Sequence, residues 1–164
     1  MGMIKDAWQF IFHGDDTAPS ATLLIRLMAG SVFFWEGLLK FAFANQGVGR
    51  FTKLGFPFPE FTADLVGTIE IVGGLMLMFG LLSRAVALTF VGEMLVAMLS
   101  TKITMYLGTS PLPLPAVPPQ IGGWAVLHEI RSEYAQLVCC AFVLWVGPGA
   151  ISVDRWLHRR KSLL

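Results

Sequence analysis

Apolar residues along this chain are grouped into four long stretches, separated by shorter segments rich in glycine, proline and charge. The stretches are residues 19–43, 61–82, 85–106 and 132–151. A helix needs about 20 mostly apolar residues to cross the hydrocarbon layer of a membrane, and each stretch is about that long. Little of the chain is left for a separate soluble domain. The pattern therefore predicts an all-α integral membrane protein, a four-helix bundle that forms a single domain over residues 1–164.

Turn-forming residues mark the connections between the predicted spans. Pro57 and Pro59 place a break before the second span, because proline interrupts a helix. Residues 82–84 predict a short, tight hairpin between the second and third spans. The loop before the fourth span contains PLPLPAVPP, and this proline density favours an extended path. The IGGWAVLHEI segment after these prolines is too short to cross, so we expect it to be re-entrant or to lie on the surface.

Composition supports the membrane class and excludes several others. Hydrophobic residues make up 55% of the chain, and the mean hydropathy is +0.66. The formal net charge of +1 gives no basic surface for nucleic acid. Cys139 and Cys140 are adjacent and point about 100° apart on a helix, so we expect them to be reduced, small apolar residues. Without a Cys/His metal spacing, we predict no metal, haem or flavin site in this chain.

Loop charges predict the orientation in the membrane. Basic residues cluster beside the C-terminal end of the fourth span and in the hairpin, at Arg84, Arg155, Arg159, Arg160 and Lys161. The basic residues of the opposite side are spread over longer loops, so we expect both termini to be cytoplasmic. Before the first span, the AWQFIF segment with Trp8, Phe10 and Phe12 is predicted to lie at the lipid headgroups.

Three charged residues interrupt the first span, at Arg26, Glu36 and Lys40. Each costs about 3 kcal/mol near the centre of an inserted helix, whereas the Leu, Ile, Val and Phe residues of this span return roughly 5 kcal/mol together. The charges should therefore face protein or water. Arg26, Gly30, Phe33, Gly37 and Lys40 recur every three or four residues and share one stripe. Its glycines would let another helix approach closely.

Acidic partners for these charges lie in the second and third spans. Glu70 is near the middle of the second span, flanked by glycines, and Glu93 is in the third span, displaced towards the hairpin. Counting about 1.5 Å per residue, we expect Arg26 to pair with Glu93. We expect Glu36 and Glu70 to share Lys40.

Two interpretations of the buried charges remain open. They could be ion pairs that fix helix register without chemistry. Alternatively, they could line a polar pocket near the midplane that binds a quinone headgroup or relays protons, since acids inside membranes are functional candidates. The expected walls of that pocket are Phe33, Phe34, Trp35, Met76, Met78, Met94 and Met98. A second polar cluster is formed by His128, Glu129, Arg131, Glu133 and Tyr134. It is either a solvated loop end, or its His128 is a proton exchanger at the pocket mouth.

The combined motifs resemble the DoxX family of small membrane proteins, over about residues 23–157. The most specific are G-x-P-x-P before the second span, E-x-x-G-G from Glu70, G-L-x-x-R ending at Arg84, and the G-P-G that precedes Asp154. Members usually have H-G-x-x-K where this chain has EGLLK, so Glu36 replaces a frequent histidine. The resemblance implies four helices in the cytoplasmic (inner) membrane of a prokaryote. Relatives include the DoxD subunit of thiosulfate:quinone oxidoreductase and partners of redox enzymes.

The leading hypothesis is therefore the membrane subunit of a quinone-linked oxidoreductase, with membrane lipid and other protein subunits as its partners. We predict catalytic roles for Glu36, Lys40 and Glu70. The predicted contacts with the quinone are Phe33, Phe34, Trp35, Arg26, Arg84, Glu93 and His128. The alternative is a non-catalytic anchor or assembly subunit. A small-solute or proton carrier is disfavoured, because the sequence contains no inverted repeat.

Overall fold

The computed structural model describes residues 18–161, so the AWQFIF segment lies outside the described residues. Within them the chain is helical, without strands, and forms seven helices. Three are long and apolar enough to cross a membrane: α1 (Thr22–Ala42), α3 (Pro59–Phe79) and α4 (Ser83–Tyr106). The other four helices are α2 (Val48–Lys53), α5 (Gly122–Glu129), α6 (Arg131–Val146) and α7 (Val153–Lys161). The predicted all-helical membrane class is confirmed.

Helix ends differ from the predicted spans where the backbone enforces a turn. Helix α3 begins at Pro59. Proline is tolerated in the first turn, because the backbone N–H that it lacks would have no acceptor within the helix. The helix ends at Phe79 and not at residue 82, because Gly80 takes a left-handed conformation with φ of 73°. Helix α6 likewise stops before Gly147, whose φ is 98°, instead of continuing to residue 151. At 16 residues, α6 is shorter than the predicted fourth span.

The long helices run antiparallel, so the molecule has two distinct ends. Gly30 approaches Gly74, and Gly37 approaches Gly67, which shows that α1 and α3 run in opposite directions. Helix α6 packs on α4 and α1, and α4 also packs on α3. We call the end that carries residues 80–82 the hairpin end. The end that carries residues 43–58 and 107–130 is the loop end.

Glycines bring α1 and α3 into backbone contact. A Cβ added to Gly30 would lie 2.6 Å from the carbonyl oxygen of Gly74, and one added to Gly37 would lie 2.7 Å from that of Gly67. Only a residue without a side chain fits such a crossing. The predicted close approach of another helix along this stripe is therefore confirmed.

The loop between α1 and α3 contains the short helix α2, which covers the loop end. Before α6, the proline-rich loop leads into α5, the helix formed by most of the IGGWAVLHEI segment. The buried apolar core lies towards the hairpin end of the long helices. Its members are Ala29, Phe33, Leu77, Val86, Ala87, Phe90, Met94, Cys140 and Val143.

Candidate functional site

A cavity of about 380 Å³ lies between the long helices, in the half of the molecule nearer the loop end. Helices α1, α3, α4 and α6 contribute its walls, and α2 with residues 54 and 56 contributes to the wall at the loop end. Ionisable side chains from five helices line it: Glu36, Lys40, Arg50, Glu70, Glu93 and Glu133. The remaining lining is mixed, with apolar residues such as Val32, Val66 and Met94 beside hydroxyl and amide groups.

Lys40 and Glu70 form an ion pair across α1 and α3. The Lys40 Nζ lies 2.7 Å from Oε1 of Glu70 and 2.6 Å from Oε2. Their side chains are only 13% and 4% exposed, so water screens the pair weakly. The glycine crossing of α1 and α3 brings the two helices close enough for this contact. The predicted contact between Lys40 and Glu70 is present.

Glu93 joins this pair from α4. Its carboxyl group lies within hydrogen-bonding reach of the Glu70 carboxyl and interacts electrostatically with Lys40. Two ionised carboxylates are both acceptors, so a hydrogen bond between them requires one shared proton. We call Glu70 and Glu93 the acid pair. The cavity thus contains one ammonium group beside two carboxyl groups that can share a proton.

The predicted ion pair between Arg26 and Glu93 is wrong. Glu70 lies nine residues before the end of α3, and Glu93 lies ten residues after the start of α4, so the two acids are level. Arg26 is near the start of α1, at the hairpin end, about 15 Å from the level of Glu93 along the helix axes. The prediction failed because it estimated the depth of each charge from its own span. The short connection between α3 and α4 instead places Glu70 and Glu93 at the same depth.

Arg26 belongs instead to a polar network at the hairpin end. Its Nη2 donates a hydrogen bond of 2.6 Å to the carbonyl oxygen of Ile151, and Asp154 interacts with it electrostatically. The Asp154 carboxylate accepts hydrogen bonds from the backbone N–H groups of Leu82 and Ser83, at 2.7 and 2.9 Å. These contacts cap α4 and attach the start of α7 to the hairpin.

Arg84 is also at the hairpin end and does not line the cavity. The side chain is buried, and a Cβ added to Gly147 would lie 3.1 Å from its Nη2. The guanidinium group therefore packs where α6 ends.

The predicted aromatic contacts separate into one cavity residue and two that lie elsewhere. Phe33 lines the cavity and stacks on Phe90, with ring centroids 3.7 Å apart. Phe34 packs edge-to-face on Trp35, and Trp35 is 62% exposed. Neither Phe34 nor Trp35 lines the cavity, and among the predicted methionine walls only Met94 does.

Glu36 and His128 lie in different surroundings. Glu36 lines the cavity one turn before Lys40 and is exposed, so it forms part of the cavity rim. His128 lies on α5 with an exposed side chain, 3.1 Å from the neighbouring Glu129 carboxylate, and does not line the cavity. Of this second cluster, only Glu133 reaches the cavity, and it forms a 2.8 Å ion pair with Lys102.

Gln136 is a cavity residue that was not predicted. It is buried on α6, its Nε2 lies 3.7 Å from the sulfur of Met28, and its Oε1 has no hydrogen-bond partner. A buried carbonyl oxygen without a donor is costly and is available to a ligand or water. The signal was present in the sequence, because Gln136 is the one amide inside the apolar fourth stretch.

No group of three or more His, Cys, Asp or Glu residues that could hold a metal ion occurs in residues 18–161. Cys139 and Cys140 are both free thiols, and Cys140 is buried in the apolar core.

Comparison with known proteins identifies related chains. The family model DoxX matches residues 21–103. The uncharacterized membrane protein Rv3486 of Mycobacterium tuberculosis is 34% identical to this chain, over 98% of this chain and 94% of its own length. Its match covers every helix of the structure.

A second relative is a protein of Bacillus subtilis named "Putative oxidoreductase CatD", which is 34% identical over 50% of this chain and 60% of its own length. No solved structure matches this chain.

Proposed function

Because the chain belongs to the DoxX family of membrane proteins, we propose that it is the membrane subunit of a quinone-linked oxidoreductase complex. The observation that carries this proposal is the cavity with Lys40 and the acid pair inside it. A volume of about 380 Å³ is within the range of small-molecule sites. The name of the Bacillus subtilis relative agrees with a redox role.

The cavity offers a quinone ring both polar and apolar contacts. Lys40 can donate a hydrogen bond to a quinone carbonyl oxygen, and the Gln136 Oε1 can accept one from a quinol hydroxyl. Phe33, Val66 and Met94 provide apolar surface for the ring. Few polar groups placed within an apolar wall are typical of sites that orient a small ligand.

The acid pair can handle protons during quinone reduction. Reduction of a quinone to a quinol takes two electrons and two protons. In the proposed complex the electrons come from a redox group of a partner subunit, and the protons pass through the Glu70 and Glu93 carboxyl groups beside Lys40. Lys40 would stabilise negative charge that develops on the quinone oxygen before each proton arrives.

A lipid-soluble ligand also needs an entrance from the membrane. Glu36 and Val96 line the cavity and are exposed at the same time, so the cavity opens sideways between helices. Val96 is 51% exposed and apolar, which suits passage of an isoprenoid tail while the polar ring stays inside.

The proposal includes a four-span topology in the cytoplasmic membrane of a prokaryote. Helix α6 would be the fourth crossing, because it packs on α1 and α4 alongside the three long apolar helices. The basic residues of α7 and the hairpin favour cytoplasmic termini, so the loop end would face the opposite side of the membrane.

Photolabelling with a quinone tests the proposal. Purified protein in lipid nanodiscs is irradiated with an azidoquinone, with and without excess decylubiquinone, and the adducts are mapped by peptide mass spectrometry. We expect adducts at cavity residues of α1 and α4 that decylubiquinone suppresses. Glu70→Gln should lower the yield about tenfold, equivalent to about 1.4 kcal/mol of binding.

The matched control is Asp64→Asn, which removes an exposed carboxylate from α3 outside the cavity and should label like the wild type. Glu70→Gln should retain the fold, because Glu93 is placed to ionise and replace Glu70 as the counter-ion of Lys40. Adducts that are spread over lipid-facing peptides, or equal labelling of the folded Glu70→Gln protein, would refute quinone binding in the cavity.

A non-catalytic anchoring role is the second candidate, and the hairpin-end network favours it. Asp154 attaches α7 to the hairpin through two hydrogen bonds, which makes α7 a suitable platform for a partner protein. Under this role, Glu70→Gln would lower stability or partner retention, and quinone would be absent at every stage of purification.

A further inference from the structure

The buried apolar core lies on one side of the acid pair. On α3, Leu77 is seven residues beyond Glu70 towards the hairpin end, and on α4, Phe90 and Val86 precede Glu93 in the same direction. On α6, Cys140 and Val143 follow Gln136 towards that end. The acid pair therefore has a continuous apolar layer between itself and the hairpin end. We call this layer the plug.

The plug is closely packed. Phe33 and Phe90 stack across α1 and α4 with an interplanar angle of 7°. A Cβ added to Gly73 would lie 2.8 Å from the Phe90 ring, so the backbone of α3 is in direct contact with this pair. Leu77 and Ala87 are 0% exposed. An apolar layer of this density has no donors or acceptors to hold a chain of water molecules.

The hairpin end beyond the plug is also closed. Arg26 is 0% exposed, and a Cβ added to Gly80 would overlap its Nη1, so the guanidinium group fills the space beside the hairpin. Its contact with the Ile151 carbonyl oxygen joins α1 to the segment after α6. Water on this face therefore meets a packed polar network and then the plug.

In the opposite direction, from the acid pair to the loop end, the cavity wall carries polar groups among apolar ones. The cavity wall continues from Glu93 to Ser100 and Thr101 on α4 and to Ser132 and Glu133 on α6. Hydroxyl and carboxyl groups at this spacing can hold bridging water molecules. Arg50 on α2 and the pair of Glu133 with Lys102 lie where this wall reaches the loop end.

We propose that the acid pair exchanges protons with water only at the loop end of the molecule. A proton that leaves the pair passes to water in the cavity and exits past Ser100, Thr101 and Glu133, and a proton that enters follows the same route. The inference rests on the proposed function, because a one-sided route determines which side of the membrane supplies protons to the quinone. With cytoplasmic termini, that side is the exterior.

Cysteine accessibility tests the route. In a background with Cys139→Ala and Cys140→Ala, single cysteines are introduced by Ser100→Cys in the cavity and Ala87→Cys in the plug. Right-side-out and inside-out membrane vesicles are treated with the membrane-impermeant cationic reagent MTSET. Thr109→Cys at the exposed loop end and Leu157→Cys on exposed α7 report the orientation of each preparation.

We expect Ser100→Cys to react only in vesicles in which Thr109→Cys reacts, and Ala87→Cys to react in neither preparation. Thr101→Cys, also in the cavity wall, repeats the test if Ser100→Cys does not fold. Reaction of the cavity cysteines from the side that labels Leu157→Cys, or from neither side, would overturn the proposal. Reaction of Ala87→Cys from the hairpin end in the folded protein would overturn it as well.

Infrared spectroscopy tests the shared proton. The wild type should show the carbonyl stretch of a protonated carboxyl group at neutral pH, and this band should disappear in Glu93→Gln and persist in Asp64→Asn. A spectrum without the band would contradict the proposal. Both measurements are made without quinone, so failed quinone binding and failed one-sided access are separate results.

Discussion

The two ends of this helical bundle hold buried charge in different ways. At the hairpin end, Asp154 and Arg26 bind backbone groups of neighbouring segments, and the surrounding space is filled. Towards the loop end, Lys40 and the acid pair border a cavity of about 380 Å³. Charges that satisfy backbone groups in a filled site stabilise the fold, whereas charges beside open space can also bind a ligand. The position of a charge in a membrane helix therefore does not by itself identify a functional site.

The comparison implies that variants at the hairpin end change stability, whereas variants at the cavity change ligand binding. Each variant tests whether stability and ligand binding depend on different ends of the molecule.

Asp154→Ala should have the largest effect on stability. It removes the acceptor of the Leu82 and Ser83 N–H groups and of the Ser83 hydroxyl, and it leaves Arg26 without its neighbouring anion. We expect a loss of about 3 kcal/mol in the free energy of unfolding, because buried charged groups lose their partners. Thermal unfolding in detergent measures the loss. The exposed Glu60→Gln should unfold like the wild type, and an unchanged Asp154→Ala would show that the network is not stabilising.

Gly74→Ala should lower stability by about 2 kcal/mol, a typical cost of overpacking. The added Cβ would lie 2.6 Å from the Gly30 carbonyl oxygen and 2.8 Å from the Phe34 nitrogen, so α1 and α3 must separate. Gly92→Ala on α4 is the matched control, because nothing lies within 4 Å of its Cβ. It should be neutral or slightly stabilising, since alanine favours helix over glycine. Equal effects of both substitutions would contradict a close crossing of α1 and α3.

Gln136→Leu should separate stability from binding. The substitution removes a buried carbonyl oxygen without a partner, so stability should stay level or rise by about 1 kcal/mol. Photolabelling with the reduced azidoquinol should fall several-fold, because the quinol hydroxyl loses the amide oxygen that would accept its hydrogen bond. The two measurements are made on the same preparation. Reduced stability with normal labelling would show that Gln136 stabilises the fold and does not bind the ligand.

Glu133→Gln should have the smallest effect. The carboxylate forms a 2.8 Å ion pair with Lys102, which also donates a hydrogen bond to the carbonyl oxygen of Glu129. Glutamine can still accept a hydrogen bond from Lys102, so we expect a loss of only about 1 kcal/mol, and less at high salt. Thermal unfolding at two salt concentrations measures the contribution. A loss as large as that of Asp154→Ala would show that the loop end is held by its charges as firmly as the hairpin end.

Much of the fold was predictable from the sequence, because apolar length and turn residues carry local information. Three of the four predicted spans and the close approach of Gly30 and Gly37 were expected from such patterns. A tight hairpin was also expected, but at residues 82–84, whereas the turn lies at residues 80–82. The contact of Lys40 with Glu70 was also expected, from depth and spacing.

The pairing of Arg26 and the place of Glu93 depended on information that no single span contains. Arg26 meets Ile151 and Asp154, which follow the fourth stretch, and the turn at Gly147 brings that segment back over the hairpin. Periodicity identified the stripe on α1 but not which residues of α4 and α6 face it. Gln136 was missed because a single neutral amide changes the hydropathy of an apolar stretch very little.

The most direct test of the central claim, that the cavity holds a quinone, is mass spectrometry of protein purified in mild detergent from native membranes. The account predicts that quinone co-purifies with the wild type and with Asp64→Asn, and that it is lost from folded Glu70→Gln. Wild-type protein that carries no quinone, or Glu70→Gln that retains as much as the wild type, would contradict it.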